Sequence, residues 1–128
     1  MRLIYVGVFG LLGIYARYLI GLLAAKYFNT IFPVGTLFIN LSGAFLIGVV
    51  YAYGAERTVL SPELRLGILV GLLGGFTTFS SYCLEAVNLV RDGEYLYALI
   101  YLTVSPLLGF GGAYGGIVVG RRLLGGFL

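Results

Sequence analysis

Four stretches of this chain contain no charged residue: Leu3 to Ala16, Tyr27 to Ala55, Leu66 to Leu84 and Tyr95 to Gly120. The first continues past the single charge of Arg17 through another apolar run to Ala25. A helix that crosses the hydrocarbon of a bilayer needs about 20 consecutive apolar residues, so the pattern predicts four transmembrane helices. Four such spans consume roughly 80 positions, and a chain of 128 residues then has room only for short loops and tails. A separate soluble catalytic domain does not fit, and the expectation is a single all-α membrane domain over residues 1–128 that is not an enzyme.

Composition narrows the chemistry further. The chain has no His and one Cys, Cys83, so zinc, haem and thiol-redox centres lack their usual ligands. Eight Lys and Arg against five Asp and Glu give a net charge of +3, but only Arg121 and Arg122 are adjacent. Isolated basic residues beside apolar runs mark membrane flanks, and no basic stripe for nucleic acid forms. The run after Arg2 resembles a signal peptide in charge order only. It lacks a small-residue cleavage site, and its retention as the first helix is expected.

The predicted helices cover about residues 3–25, 33–54, 62–89 and 95–120. Asn29, Thr30 and Pro33 read as the turn into the second. Ser61, Pro62 and Glu63 supply an N-cap, an N1 proline and a first-turn acid for the third. Gly71, Gly74, Gly75, Thr77, Thr78, Ser80 and Ser81 fall within one short stretch of that third helix. Residues this weak in helix propensity predict a break there. Backbone freed at membrane depth must be buried in protein or line a wet cavity. The positive-inside count is indecisive: Arg2, Arg57, Arg65, Arg121 and Arg122 on the side of the termini against Lys26 and Arg91 on the other, plus Arg17 if it reaches that way, an excess that only weakly favours cytoplasmic termini. Weak bias of this kind is compatible with insertion in both orientations.

Polar residues inside the spans are the candidate functional groups, because each is costly in lipid unless paired or facing a cavity. Thr36 and Asn40 lie on one face of the second helix with Gly43 below them. Tyr101, Ser105 and Gly109 repeat every four residues on the last helix. After the expected break, Phe79 and Tyr82 share a face, while Thr78, Ser81 and Glu85 line the next. Gly109, Gly112, Gly116 and Gly120 form a small-residue row suited to close helix packing and oligomerisation. No carboxylate or His sits at the middle of a span; Glu85 and Arg17 lie near helix ends. Passive conduction is therefore favoured over proton coupling. Hydroxyls, an amide and the positive edges of aromatic rings suit a small anion.

Three segments taken together, Gly13 to Tyr18 (GIYARY), Gly35 to Phe45 (GTLFINLSGAF) and Gly71 to Tyr82 (GLLGGFTTFSSY), resemble the CrcB/Fluc family of fluoride channels along essentially the whole chain. The resemblance implies a fluoride-selective channel of the cell membrane, built as an antiparallel, dual-topology homodimer with two pores and a structural sodium ion at the two-fold axis. It implies that Asn40, Phe79, Tyr82, Ser105, Tyr101, Thr36, Thr78 and Ser81 belong to the anion pathway. Backbone carbonyls of Gly74 and Thr77 match the sodium ligands, and Arg17 matches a vestibule arginine. Two positions depart from the family pattern. Tyr82 stands where phenylalanine is common, and Gly109 stands where some relatives carry a hydroxyl. A proton-coupled multidrug-type transporter is the main alternative, although the first helix lacks the glutamate that it needs. A glycine-packed assembly factor without transport activity is the other.

Overall fold

The computed structural model describes residues 1–56 and 58–123. Arg57, which enters the charge count, lies outside them. All regular structure among the described residues is helical, and four helical segments are long and apolar enough to cross a membrane: Arg2–Tyr27, Val34–Gly54, Pro62–Arg91 and Tyr95–Leu123. The chain is a multi-pass membrane protein.

The first span is one helix, α1 (Arg2–Tyr27), with Lys26 in its last turn, where the helix dipole favours a cation. Thr30 then accepts a hydrogen bond from the Phe32 N–H at 3.2 Å and shapes the turn. Pro33 caps the N-terminus of α2 (Val34–Val50), which runs on into a π-helical turn, Tyr51–Glu56. Beyond the loop, Ser61 caps α3 (residues 62–76) through its hydroxyl, which accepts from the Leu64 N–H, and Pro62 lies in the first turn. The middle of α3, Gly67–Leu72, is wound as a π-helix before an α-helical turn, Leu73–Phe76, ends it.

Thr77 (φ −80°, ψ 157°) and Thr78 (φ −149°, ψ 114°) are extended. The chain resumes as α4 (Phe79–Arg91), capped by the Thr78 side chain. Gly93, at φ 79°, makes the tight turn into α5 (Tyr95–Leu123), which contains Pro106. A left-handed backbone of this kind is open to glycine without steric cost.

In lipid the hydrophobic effect does not drive helices together, so close backbone contact does much of the holding. The α1–α3 and α2–α5 pairs are the two extensive interfaces. A Cβ placed on Gly116 would collide with the Phe45 carbonyl, and one on Gly48 with the Ala113 carbonyl. The glycine row of α5 therefore divides. Gly112, Gly116 and Gly120 meet α2 within the chain, whereas Gly109, Gly111 and Gly115 have open space beside them. The α1–α3 pair interlocks in the same way, with Gly13 against Leu72 and Gly71 against Val6.

Candidate functional site

The two extended residues between α3 and α4 leave backbone groups without helical partners, and α2 supplies them. Asn40 Nδ2 donates to the Thr78 carbonyl at 2.9 Å, and the Thr78 N–H donates to Asn40 Oδ1 at 2.8 Å. An amide side chain carries one acceptor and two N–H donors, so this exchange uses one donor and leaves the second. The Thr78 hydroxyl donates to Ser81 Oγ at 3.0 Å and accepts from the Ser81 N–H. Both hydroxyls are thereby engaged in starting α4.

These bonds have a consequence for the carbonyls upstream. In a continuous helix the Thr78 N–H would serve Gly74, and the Ser81 N–H would serve Thr77. Both donors are instead bound by side chains, Asn40 and Thr78 respectively. The Gly74 and Thr77 carbonyls thus lose their i+4 donors together. Gly75 is treated differently: its carbonyl accepts from Arg17 Nε at 3.0 Å, and this half-buried contact ties α1 to the end of α3.

Asn40, Thr78, Phe79, Tyr82 and Ser105 surround one cavity of about 330 Å³, with Gly74 and Thr77 also on its wall. Ser105 is buried, whereas Phe79 is 77% exposed. The Phe79 and Tyr82 rings are tilted at 43° with centroids 5.8 Å apart. The hydroxyl of Tyr82 points to α5, donating to the Leu102 carbonyl at 3.1 Å.

Thr36 and Tyr101 gather around Glu85 instead. The Thr36 hydroxyl donates to Glu85 Oε2 at 3.0 Å. Among the described residues, the buried Glu85 Oε1 and Tyr101 hydroxyl have no hydrogen-bond partner, and Tyr101 is fully buried. Glu85 also lines two further hollows of about 220 and 260 Å³ that share Thr30, Phe32 and Pro33. A stack of rings joins this group to the first: Tyr82 lies 4.9 Å from Tyr101, and Tyr101 lies 5.4 Å from Phe32. Phe32 and Tyr97, whose centroids are 5.9 Å apart, complete the series and were not singled out in the sequence. Both flank a turn rather than a polar stripe, and their aromatic character was the only available signal. Ser81 and Arg17 lie outside the 330 Å³ cavity.

Four membrane spans, with open hollows beside them bordered by Asn40, Thr78 and Ser105 in one case and by Thr36 and Glu85 in another, define a small polytopic membrane protein. A family model described as "CrcB-like protein, Camphor Resistance (CrcB)" matches residues 4–117. A "Fluoride-specific ion channel FluC" of Chlorobium chlorochromatii (strain CaD3) is 45% identical over 97% of this chain and 95% of its own length. Proteins of the same name from Geobacter sp. (strain M21) and Aquifex aeolicus (strain VF5) are each 40% identical, covering 95% and 89% of this chain and 98% and 92% of their own. The chain belongs to the CrcB family.

Proposed function

We propose that this protein is a passive, fluoride-selective channel that lets fluoride leave the cell. The observation that carries the reading is the near-full-length match to relatives named as fluoride-specific channels, set beside a cavity walled by Asn40, Phe79 and Ser105. Hydrogen fluoride crosses a bilayer as a neutral acid and dissociates at cytoplasmic pH. The trapped anion is then driven outwards by a negative membrane potential through any selective leak, without fuel. A pore that replaces water with an amide N–H, hydroxyls and ring edges favours a small, strongly hydrated anion over chloride by field strength and size.

The interruption at Thr77 and Thr78 is read as the helix break implied by the resemblance. It also supports assembly as an antiparallel, dual-topology homodimer. Gly74 is exposed on the subunit and its carbonyl has lost its helical donor, a state that lipid does not tolerate. A second, inverted subunit would cover it. The freed carbonyls of Gly74 and Thr77 are hard oxygen donors and fit a monovalent cation; two from each subunit would hold a sodium ion at the two-fold axis. When bound, sodium supplies positive charge that satisfies these carbonyls and pins the two subunits together.

Reconstitution into liposomes with valinomycin tests the function. Rapid fluoride release without chloride release is expected, and well-folded protein that releases neither would refute the channel reading.

A further inference from the structure

Pro106 sits inside α5, four residues after Leu102. Proline has no backbone N–H, so it cannot serve the carbonyl one turn earlier. That carbonyl is the one to which Tyr82 donates, at 3.1 Å. Tyr82 is itself buried, with its ring between Phe79 and Tyr101. Ser105 and Pro106 both stand on the wall of the cavity that Tyr82 lines.

We infer that Tyr82 is a positioning residue whose hydroxyl clamps the turn of α5 opened by Pro106, and so fixes both its own ring and the neighbouring Ser105 against the cavity. The Tyr82 hydroxyl then stands outside the ion path, because its one proton is committed to Leu102. Tyrosine at this position and proline at 106 form a matched pair. The proline creates a vacant acceptor at membrane depth, and the tyrosine fills it from the adjacent span. Phenylalanine at 82 would keep the ring and abandon the acceptor. The inference rests on the channel reading only for its effect on flux; the clamp itself is a statement about packing.

A double-mutant cycle separates the two. Tyr82→Phe is expected to slow fluoride release about fivefold, the population change that one net hydrogen bond of ordinary strength controls. It is also expected to lower the melting temperature of the purified protein. In a Pro106→Ala background, where residue 106 again has an N–H for Leu102, the same Tyr82→Phe change is expected to have a much smaller effect on both. Pro106→Ser returns the N–H in a second way should the alanine variant fold poorly. Equal Tyr82→Phe effects in both backgrounds, or none in the native background, would overturn the clamp. Coupling in melting without coupling in flux would overturn the positioning role. A wild-type protein that releases no fluoride but retains the coupled melting would sink the channel reading and leave the clamp standing.

Discussion

Asn40 and Thr78 exchange two hydrogen bonds, 2.8 and 2.9 Å long, between α2 and the extended link that joins α3 to α4. One side chain thereby satisfies both backbone groups of a residue that no helix can serve. The diverted N–H is what leaves the Gly74 carbonyl without its i+4 donor, so the conformation of the link and the chemistry of its carbonyls have one cause.

Replacing Asn40 with Ala removes both bonds and strands the Thr78 N–H and carbonyl. Each orphaned buried group costs about 1–3 kcal/mol. Fluoride efflux is expected to vanish, with a clear fall in melting temperature. Unchanged efflux from Asn40→Ala liposomes would refute its place in the pathway.

Phe79→Ile tests the ring without the scaffold. Because Phe79 is mostly exposed on the subunit, its removal leaves little of the subunit interior unpacked. Efflux is expected to be lost while size-exclusion chromatography still shows the proposed dimer. Collapse of the assembly would instead make Phe79 a structural residue.

Thr36→Val removes the hydroxyl that donates to Glu85 Oε2, in a carboxyl group whose other oxygen has no partner among the described residues. A hydrogen bond contributes about 0.5–1.5 kcal/mol net, so a loss of stability of that order is expected. Thr36→Ser keeps the donor and should restore it. Thermal unfolding in detergent measures both, and equal stability of the Val and Ser variants would dismiss the bond.

Gly116→Val and Gly111→Ala form a matched control on helix packing. Any Cβ at 116 meets the Phe45 carbonyl, whereas at 111 no atom of the described residues lies within 4 Å. Overpacking costs about 1–3 kcal/mol, and the rigid backbone of α2 makes the upper end the expectation for Gly116→Val. Gly111→Ala should be neutral within one subunit. A loss of the dimer in Gly111→Ala would place that glycine at the interface.

Exchanging sodium for a large organic cation throughout purification and assay probes the carbonyls of Gly74 and Thr77, which no side-chain substitution reaches. Loss of flux and of the dimer, both restored by adding sodium, is the expected result. Full activity without sodium or any similar cation would refute the cation site.

The four spans were legible in the sequence because hydrophobicity is a sum over one segment and needs no knowledge of neighbours. The same holds for the Ser61 cap, where the acceptor and the N–H it serves lie three residues apart. Periodicity also placed Thr36 with Asn40, and Phe79 with Tyr82, on common helix faces. It could not say what each face meets. Thr36 goes to Glu85, whereas Asn40 goes to Thr78. The α5 glycines show the same limit. One row repeats every three or four residues, yet Gly112 and Gly116 close on α2, whereas among the described residues nothing lies within 4 Å of a Cβ at Gly109.

Sequence by itself therefore determined that this chain lives in a membrane, how many times it crosses, and which family its motifs resemble. Tertiary structure alone decided that the Thr78 N–H is given to Asn40, that Tyr82 answers the acceptor left by Pro106, and that Phe32 joins the ring stack. Each of these depends on the rotation and crossing of helices distant in sequence. Those are fixed by which small residues allow two backbones to touch, a property of pairs of helices that no single segment carries.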